Sequence, residues 1–219
     1  MNPYRARYHR ELDELVSDTR ELANRVDIAI GGSIEALKEF DSVKAREIIK
    51  MDQAVDELNL KVESRCMELL ALQQPMAKDL RLIIAVIKIG IDLERIGDLA
   101  VDIARIPVQN QGMVTVKRLE NLPIMAAITR DMLHEAVRAI IENNAEVARE
   151  ATKRDYEIDN LYVKVRDRLF AIMVENPMLV NDATALLMAN RHLERIGDHI
   201  CNICESIIYM IQGVREHLN

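Results

Sequence analysis

The sequence predicts an all-α protein made of two tandem antiparallel three-helix bundles. The hexapeptide Leu93-Glu94-Arg95-Ile96-Gly97-Asp98 returns unchanged at residues 193–198, which indicates an internal duplication. Apolar residues make up 49% of the chain but aromatic residues only 3%, and Gly and Pro are few, a composition typical of long packed helices. Apolar residues also recur at intervals of three and four, which is the spacing of a helix with one buried face.

The first half is predicted to contain three helices, over residues 4–39, 43–73 and 77–106. Asp41 is a good residue with which to begin the second helix, because its side chain can accept hydrogen bonds from the first turn. Pro75 separates the second helix from the third, and Pro107 is expected to end the third, since proline is poorly tolerated inside a helix. Gly31 and Gly32 predict a close helix contact or a bend in the first helix.

The second half repeats this plan, with helices predicted over residues 122–142, 145–174 and 182–212. Pro177 separates the last two helices, and Gly213 ends the last one. Because the connections are short, neighbouring helices should be antiparallel. The stretch 108–116 is the best candidate for a linker, so the domains are expected to span residues 1–109 and 110–219.

Composition also excludes several classes of protein. The formal net charge is −7 and no run of Lys and Arg compensates for it, which argues against nucleic acid as a partner. The apolar run 82–87 is broken by Lys88 and is too short to cross a membrane. No signal peptide pattern precedes the first helix, so we expect a cytoplasmic protein. Cys201 and Cys204 match Val101 and Ala104 of the first half and are interpreted as small helix-packing residues.

An acidic pair lies in the first copy of the hexapeptide. Glu94 and Asp98 are one turn apart on the same helix face, roughly opposite the apolar stripe. When the second and third helices are folded back at Pro75, Asp56 and Asp52 face this pair from the neighbouring helix. Four carboxylates on two antiparallel helices would form an anionic groove suited to a cation.

The second half contains the same arrangement. Glu194 and Asp198 form the acidic pair, and folding the chain back near Pro177 places them beside Asp159 and Asp155. One acidic pair on a helix is usually a solvated surface. The recurrence of the quartet in both halves favours a binding site over that interpretation.

The expected ligands are hard oxygen atoms, which suit Mg, Mn, Ca or Fe. His192 and His199 flank the second hexapeptide and would favour Fe or Zn there if they took part. Their counterparts in the first half are Asp92 and Leu99, so such a contribution would be confined to the second half.

The repeated hexapeptide, together with Gln73-Gln74-Pro75 and Asp79-Leu80-Arg81, resembles the PhoU family over nearly the whole chain. This resemblance implies two three-helix bundles related by a pseudo-twofold axis and metal ions bound by E(D)xxxD motifs. Asp102 and Asn202 follow the motifs by one turn. The implied metal ligands are therefore Asp52, Asp56, Glu94, Asp98, Asp102, Asp155, Asp159, Glu194, Asp198 and Asn202, and the metal would be Fe, Mn, Mg or Zn.

The resemblance also implies a regulatory role. Members of the family restrain the phosphate-starvation response by linking a phosphate ABC transporter, through its ATPase subunit, to a sensor histidine kinase. The protein would reach the membrane only through these partners. A homodimer is expected, because the apolar start of the third helix leaves room for one.

The sequence supports three hypotheses about function. The leading one is a non-enzymatic regulator whose metal sites brace the helices or shape a docking face. The alternative is a di-metal helical-bundle enzyme, either an oxidase or a phosphohydrolase, but no candidate general base stands apart from the ligands. The third is a structural adaptor that binds no metal.

Overall fold

The computed structural model describes residues 3–110 and 121–218, and that part of the chain is helical and contains no strand. The helices are α1 (Pro3–Glu39), α2 (Ser42–Gln73), α3 (Ala77–Gln109), α4 (Asn121–Glu142), α5 (Ala145–Thr152), α6 (Asp155–Glu175) and α7 (Val180–Gln212). A single 3₁₀ turn, Pro177–Leu179, precedes α7. The predicted all-α fold is confirmed.

The predicted helix ends are confirmed where capping chemistry fixes them. Asp41 Oδ1 accepts hydrogen bonds from the backbone N–H groups of Val43 at 2.8 Å and Lys44 at 3.1 Å, which begins α2. Gly213 lies in the left-handed region at φ 75° and donates its N–H to the carbonyl of Tyr209 at 2.8 Å, which ends α7.

Pro107 does not end α3, so that expectation is wrong. The helix continues to Gln109, and Asn110 donates to the carbonyl of Ile106 from both its backbone N–H and its side-chain amide, each at 3.0 Å. Pro107 is buried within the last turn. In the last turn the missing N–H of proline removes the hydrogen bond that residue 107 would donate to the carbonyl of Ile103, and the apolar packing of the ring outweighs that loss. Most of the predicted linker falls on residues 111–116, which lie outside the described residues.

The predicted helix over residues 145–174 is divided into α5 and α6. Lys153 and Arg154 form the break, where the N–H of Arg154 bonds the carbonyl of Ala151 at 3.2 Å in a tight three-residue turn. The Arg154 guanidinium also donates to Asp131 of α4 at 3.1 Å. No Gly or Pro marks this break, so the periodic pattern alone did not reveal it.

One hydrophobic cluster joins the two halves. It contains Ile89 and Leu93 of α3 together with Met132 of α4 and Leu193 and Ile203 of α7, all buried. Helices α3 and α7 form the most extensive helix pair. They run antiparallel: Asp92, earlier in α3, contacts His199, later in α7, whereas Asp102, later in α3, raises the pKa of His192, earlier in α7. The division into domains at residue 109 stays a prediction, as does the pseudo-twofold relation.

A buried ion pair also ties the halves together. Both carboxylate oxygens of Asp27 on α1 accept from the guanidinium of Arg130 on α4 at 2.8 Å, and His134 Nε2 lies 3.2 Å from Asp27 Oδ1. Burial raises the pKa of Asp27, but the hydrogen bonds and charge of Arg130 outweigh it, and the net shift is downward. Gly31 permits this approach, because a Cβ there would lie 3.1 Å from the guanidinium.

The close contact predicted at Gly32 is also present, since a Cβ at that position would lie 2.4 Å from Ile48 Cδ1. The apolar start of α3 is largely covered within the chain, where Ile83, Val86 and Ile89 are buried. Over residues 3–110 and 121–218, no helix combines the length and the apolar character needed to cross a bilayer.

Candidate cation site

The α2–α3 hairpin carries the four acidic side chains predicted for the first half. Burial raises the pKa of Asp52, and the charges of Asp56, Asp98 and Glu94 raise it further, against an opposing contribution from Arg105. These three carboxylates therefore act on Asp52 through their charge. That the four converge on one cation stays a prediction.

The α6–α7 hairpin builds the corresponding arrangement. Burial raises the pKa of Glu194 most, and Asp198 and Asp159 add to the rise, against Arg191. The Glu194 Oε2 atom is buried and has no hydrogen-bond partner. A desolvated carboxylate oxygen without a donor is costly, and a bound cation would relieve that cost.

Asp155, the fourth acidic residue predicted for the second half, lies in the first turn of α6, and its side chain is buried. The helix N-terminus favours a negative charge there. Gly197 makes room for it, because a Cβ at that position would lie 2.6 Å from Asp155 Oδ1 and 3.0 Å from Ile158 Cδ1. The glycine of the second hexapeptide is thus explained by close helix packing around a buried carboxylate.

Gly97 is in a looser environment. A Cβ there would lie 3.4 Å from Val55 Cγ1 and 3.9 Å from Asp52 Oδ1, which are ordinary contacts. The two copies of the hexapeptide therefore differ in how tightly the neighbouring helix approaches.

Arginines compete for the same carboxylates. Arg95 donates to Asp98 at 3.0 Å, and Arg191 donates to Glu194 Oε1 at 2.6 Å. As the side chains stand, no group of three or more His, Cys, Asp or Glu among the described residues has the geometry of a metal site. Binding a cation would require the arginine side chains to turn away, which is inexpensive for the exposed pair of Arg95 with Asp98 and more costly for Arg191, whose partner Glu194 is mostly buried.

The two residues one turn beyond the motifs lie toward the α3–α7 pair. Asp102 accepts from Arg105 at 2.7 Å and acts on the pKa of His192, which burial lowers. The Asn202 amide lies 3.4 Å from Asp92 Oδ1. Their assignment as metal ligands stays a prediction, as does that of the eight carboxylates.

His192 and His199, which flank the second hexapeptide, both interact with acidic residues of the first half. His199 Nδ1 lies 2.9 Å from Asp92 Oδ1, so this ring is engaged across the α3–α7 interface. The contact was missed from the sequence, because Asp92 and His199 are distant in the chain and no spacing rule connects two helices from different repeats. The buried Nδ1 of His192 has no hydrogen-bond partner.

These carboxylates fit a hard cation better than a catalytic centre, because they offer oxygen ligands. Neighbouring negative charges raise the pKa of both Asp52 and Glu194, and the buried Oε2 of Glu194 accepts no hydrogen bond. The thiols do not add to the site, since burial raises the pKa of Cys204 to about 12 and keeps it protonated. The arrangement is suited to holding two helices together through a positive ion.

Comparison with known proteins matches the chain to the PhoU domain at residues 19–106 and again at 122–207. Among curated relatives, a phosphate-specific transport system accessory protein PhoU homolog of Clostridium acetobutylicum is 36% identical over 97% of both chains. PhoU homolog 1 of Thermotoga maritima is 31% identical over 94% of this chain and 89% of its own. These names describe accessory proteins, in agreement with the expectation of a non-enzymatic protein.

Solved structures agree in fold. The crystal structure of PhoU from Pseudomonas aeruginosa has a TM-score of 0.85 and 31% identity, and the match covers 94% of this chain and 100% of that one. The phosphate transport system regulatory protein PhoU from Streptococcus pneumoniae has a TM-score of 0.89 and 29% identity, covering 96% of this chain and 100% of that one.

Proposed function

This chain belongs to the PhoU family, and on that premise we propose that it is a non-catalytic regulator of phosphate uptake. It restrains the phosphate-starvation response when phosphate is sufficient. The observation that carries this proposal is the match of both halves to the PhoU domain, over residues 19–106 and 122–207, in a chain that covers its relatives almost completely.

The proposed partners are the ATPase subunit of a phosphate ABC transporter and a sensor histidine kinase. The protein acts in the cytoplasm and meets the membrane through these two partners. Support comes from the names of the relatives, which place them in a phosphate-specific transport system.

Deletion of the gene tests this role directly. With phosphate in excess, the deletion strain should express a phosphate-starvation reporter, and the wild-type gene should silence it again. Purified protein should also retain the transporter ATPase subunit on an affinity column. A reporter that remains silent in the deletion strain would contradict the proposed role.

We also propose that the acidic quartets hold metal ions. In the second half Glu194, Asp198, Asp155 and Asp159 would provide the oxygen ligands, and in the first half Glu94, Asp98, Asp52 and Asp56. Bound there, Fe, Mn, Mg or Zn would supply positive charge that offsets the repulsion among the carboxylates. The chain's own contribution is to pack α6 against α7, and α2 against α3, so that acidic side chains stand on both helices of each pair.

The supporting observation is the buried Oε2 of Glu194, which has no donor and lies in the field of Asp198 and Asp159. The test of regulatory importance is complementation by Glu194→Gln/Asp198→Asn. If metal shapes the docking face, this variant should fold but silence the reporter poorly. Full silencing by a folded variant that binds no metal would separate metal binding from regulation.

The alternative of a di-metal oxidase or phosphohydrolase gains no support from a particular contact. Such an enzyme needs a general base set apart from the ligands. Among the described histidines, His199 and His134 contact Asp92 and Asp27 in the interfaces between helices, and burial lowers the pKa of His192, which is adjacent in sequence to the proposed ligand Glu194 rather than set apart from it. We therefore propose no reaction.

A further inference from the structure

A cavity lies between α1 and α4, next to the buried ion pair that joins the two halves of the chain. Its volume is about 440 Å³, within the range of about 300–1,000 Å³ that small-molecule sites usually occupy. Helix α1 lines it with Ser17, Arg20 and Asn24, and α4 lines it with His134. A molecule bound here would therefore contact both halves of the chain.

The polar side chains that line the cavity from α1 share one face of that helix. Ser17, Arg20 and Asn24 are three and four residues apart, so they project in the same direction. All three are exposed, and within the described part of the chain none of these side chains makes a hydrogen bond or an ion pair. They therefore offer a hydroxyl, a guanidinium and an amide as donors to a ligand.

The carboxylates at the cavity already have partners. Asp27 accepts from Arg130 with both oxygens at 2.8 Å, and Glu21 accepts from Arg25 at 3.0 Å. The guanidinium of Arg20, by contrast, has no carboxylate partner among the described residues. The cavity is thus locally positive in a chain whose formal net charge is −7, and it favours an anion.

The remaining wall of the cavity is apolar. Ala23 of α1 and Leu133 of α4 are buried, and Val137 of α4 is half-buried beside them. Inorganic phosphate is compact and strongly hydrated, so it would leave this wall in contact with water. An anion that carries a flat organic ring would cover the wall and use the donors at the same time, and a nucleobase offers such a face.

We propose that this cavity binds a nucleoside monophosphate. The phosphate accepts hydrogen bonds from Arg20, Asn24 and Ser17, while the base and the sugar lie along the apolar wall. A phosphate monoester has three acceptor oxygens and a charge of about −1.5 to −2, which suits this set of donors better than a single carboxylate does. The inference depends neither on the acidic quartets nor on the role in phosphate uptake.

Calorimetric titration of the full chain with AMP tests the proposal. A chelator is present, so that no metal ion at the acidic quartets can take the phosphate. Wild type should bind AMP with a Kd below about 1 mM, and adenosine and inorganic phosphate should each bind about tenfold more weakly or worse, since each lacks part of the contacts. No AMP binding at millimolar concentration, or equal affinity for AMP and either smaller molecule, would overturn the proposal.

Substitution of Arg20 tests whether AMP binds in this cavity. Arg20→Gln should weaken AMP binding by about tenfold or more, because it removes the charge that the phosphate meets. The side chain is exposed and unpaired, so the variant should keep the circular dichroism of the native fold. Arg46→Gln, the matched control, removes an exposed arginine of α2 that does not line the cavity. Unchanged binding by Arg20→Gln, or equal weakening by both variants, would contradict the assigned site.

A competing carboxylate gives a second readout. Ser17→Asp places an acid one turn before Arg20, where it pairs with the guanidinium and repels the phosphate. This variant should weaken AMP binding by about tenfold or more, whereas Ser17→Ala, which removes only a hydroxyl, should weaken it less. If Ser17→Asp binds AMP as tightly as wild type, the phosphate does not lie at Arg20 and the proposal is wrong.

Discussion

At the scale of single residues, the two glycines of the repeated hexapeptide are equal in sequence but unequal in surroundings. At Gly197 a Cβ would meet Asp155 Oδ1 at 2.6 Å and Ile158 Cδ1 at 3.0 Å, whereas at Gly97 the nearest atom is 3.4 Å away. Helix propensity alone favours Ala over Gly by about 1 kcal/mol. The two substitutions should therefore have opposite effects on stability.

We predict that Gly197→Ala lowers the free energy of unfolding by about 1–2 kcal/mol, because Asp155 is buried and cannot move away freely. Gly97→Ala, its matched control, should be neutral or stabilising by up to about 1 kcal/mol. Urea denaturation of both variants measures the difference. Equal destabilisation by the two would show that close packing around Asp155 is not the reason for the glycine.

The acidic side chains also predict a dependence of stability on pH. Folding raises the pKa of Asp52 above its ordinary 3.8 and that of Glu194 above its ordinary 4.5. Between its ordinary pKa and its raised pKa in the folded state, each group binds more protons when folded, so stability falls as pH rises through that range. The loss is complete at neutral pH and disappears as pH falls below the ordinary pKa. The groups with lowered pKa, such as Asp27, act in the opposite sense and at lower pH.

The double variant Asp52→Asn/Glu194→Gln should therefore melt at a higher temperature than wild type at pH 7 when metal is removed by a chelator. The difference should shrink as pH approaches 4.5, where the native groups take up protons. Thermal denaturation followed by circular dichroism over this range is the measurement. A variant that is less stable than wild type at pH 7 would contradict the repulsion inferred here.

The sequence predicted those features of single residues that depend on neighbouring residues in the chain, and missed those that depend on contacts between distant helices. Asp41 and Gly213 were predicted as helix ends because capping needs only neighbouring backbone groups. The contact between Asp92 and His199 was not, since it joins helices whose register is set by the whole core.

At the scale of helices, the fold-back of each hairpin puts two acidic pairs on neighbouring antiparallel helices, which is the arrangement that the proposed cation sites require. The register was predictable because Pro75 and Pro177 fix where the chain reverses, and antiparallel neighbours then follow by counting. The end of α3 was not predictable by the same logic, because the buried packing of Pro107 outweighs its missing hydrogen bond. The break after Thr152 lacked any Gly or Pro signal.

The ion pair between α1 and α4 gives a prediction at this scale. Removing Arg130 leaves the carboxylate of Asp27, 6% exposed, without its main partner. We expect Arg130→Ala to cost roughly 1–3 kcal/mol, at the lower part of the range for broken buried pairs because the arginine is itself partly exposed.

The pair Asp27→Leu/Arg130→Met should cost less than Arg130→Ala alone, since no unpaired charge remains. Equilibrium unfolding in urea compares the two proteins, and a double-mutant cycle extracts the coupling. Additive losses from the two sites would show that the side chains act independently and that the ion pair does not clamp α1 to α4.

At the scale of the whole molecule, one hydrophobic cluster spans both repeats. The two halves are therefore packed together through shared core residues rather than joined only by the connecting segment. The sequence predicted the all-α fold and the family from a repeated hexapeptide. The sequence did not predict that α3 and α7 would form the most extensive helix pair and so join the halves. Both helices carry an apolar stripe of the same kind, and such a stripe does not indicate which helix it will pack against.

The central claim is that carboxylates from neighbouring helices hold a cation in each half, and calorimetric titration with Mn²⁺ tests it most directly. Glu194→Gln/Asp198→Asn should weaken binding by about 100-fold or more, since ligands are lost. The control Asp131→Asn/Glu135→Gln, which removes an acidic pair of the same spacing on α4, should leave binding unchanged. Equal Mn²⁺ affinity in wild type and in the Glu194 variant would contradict the account.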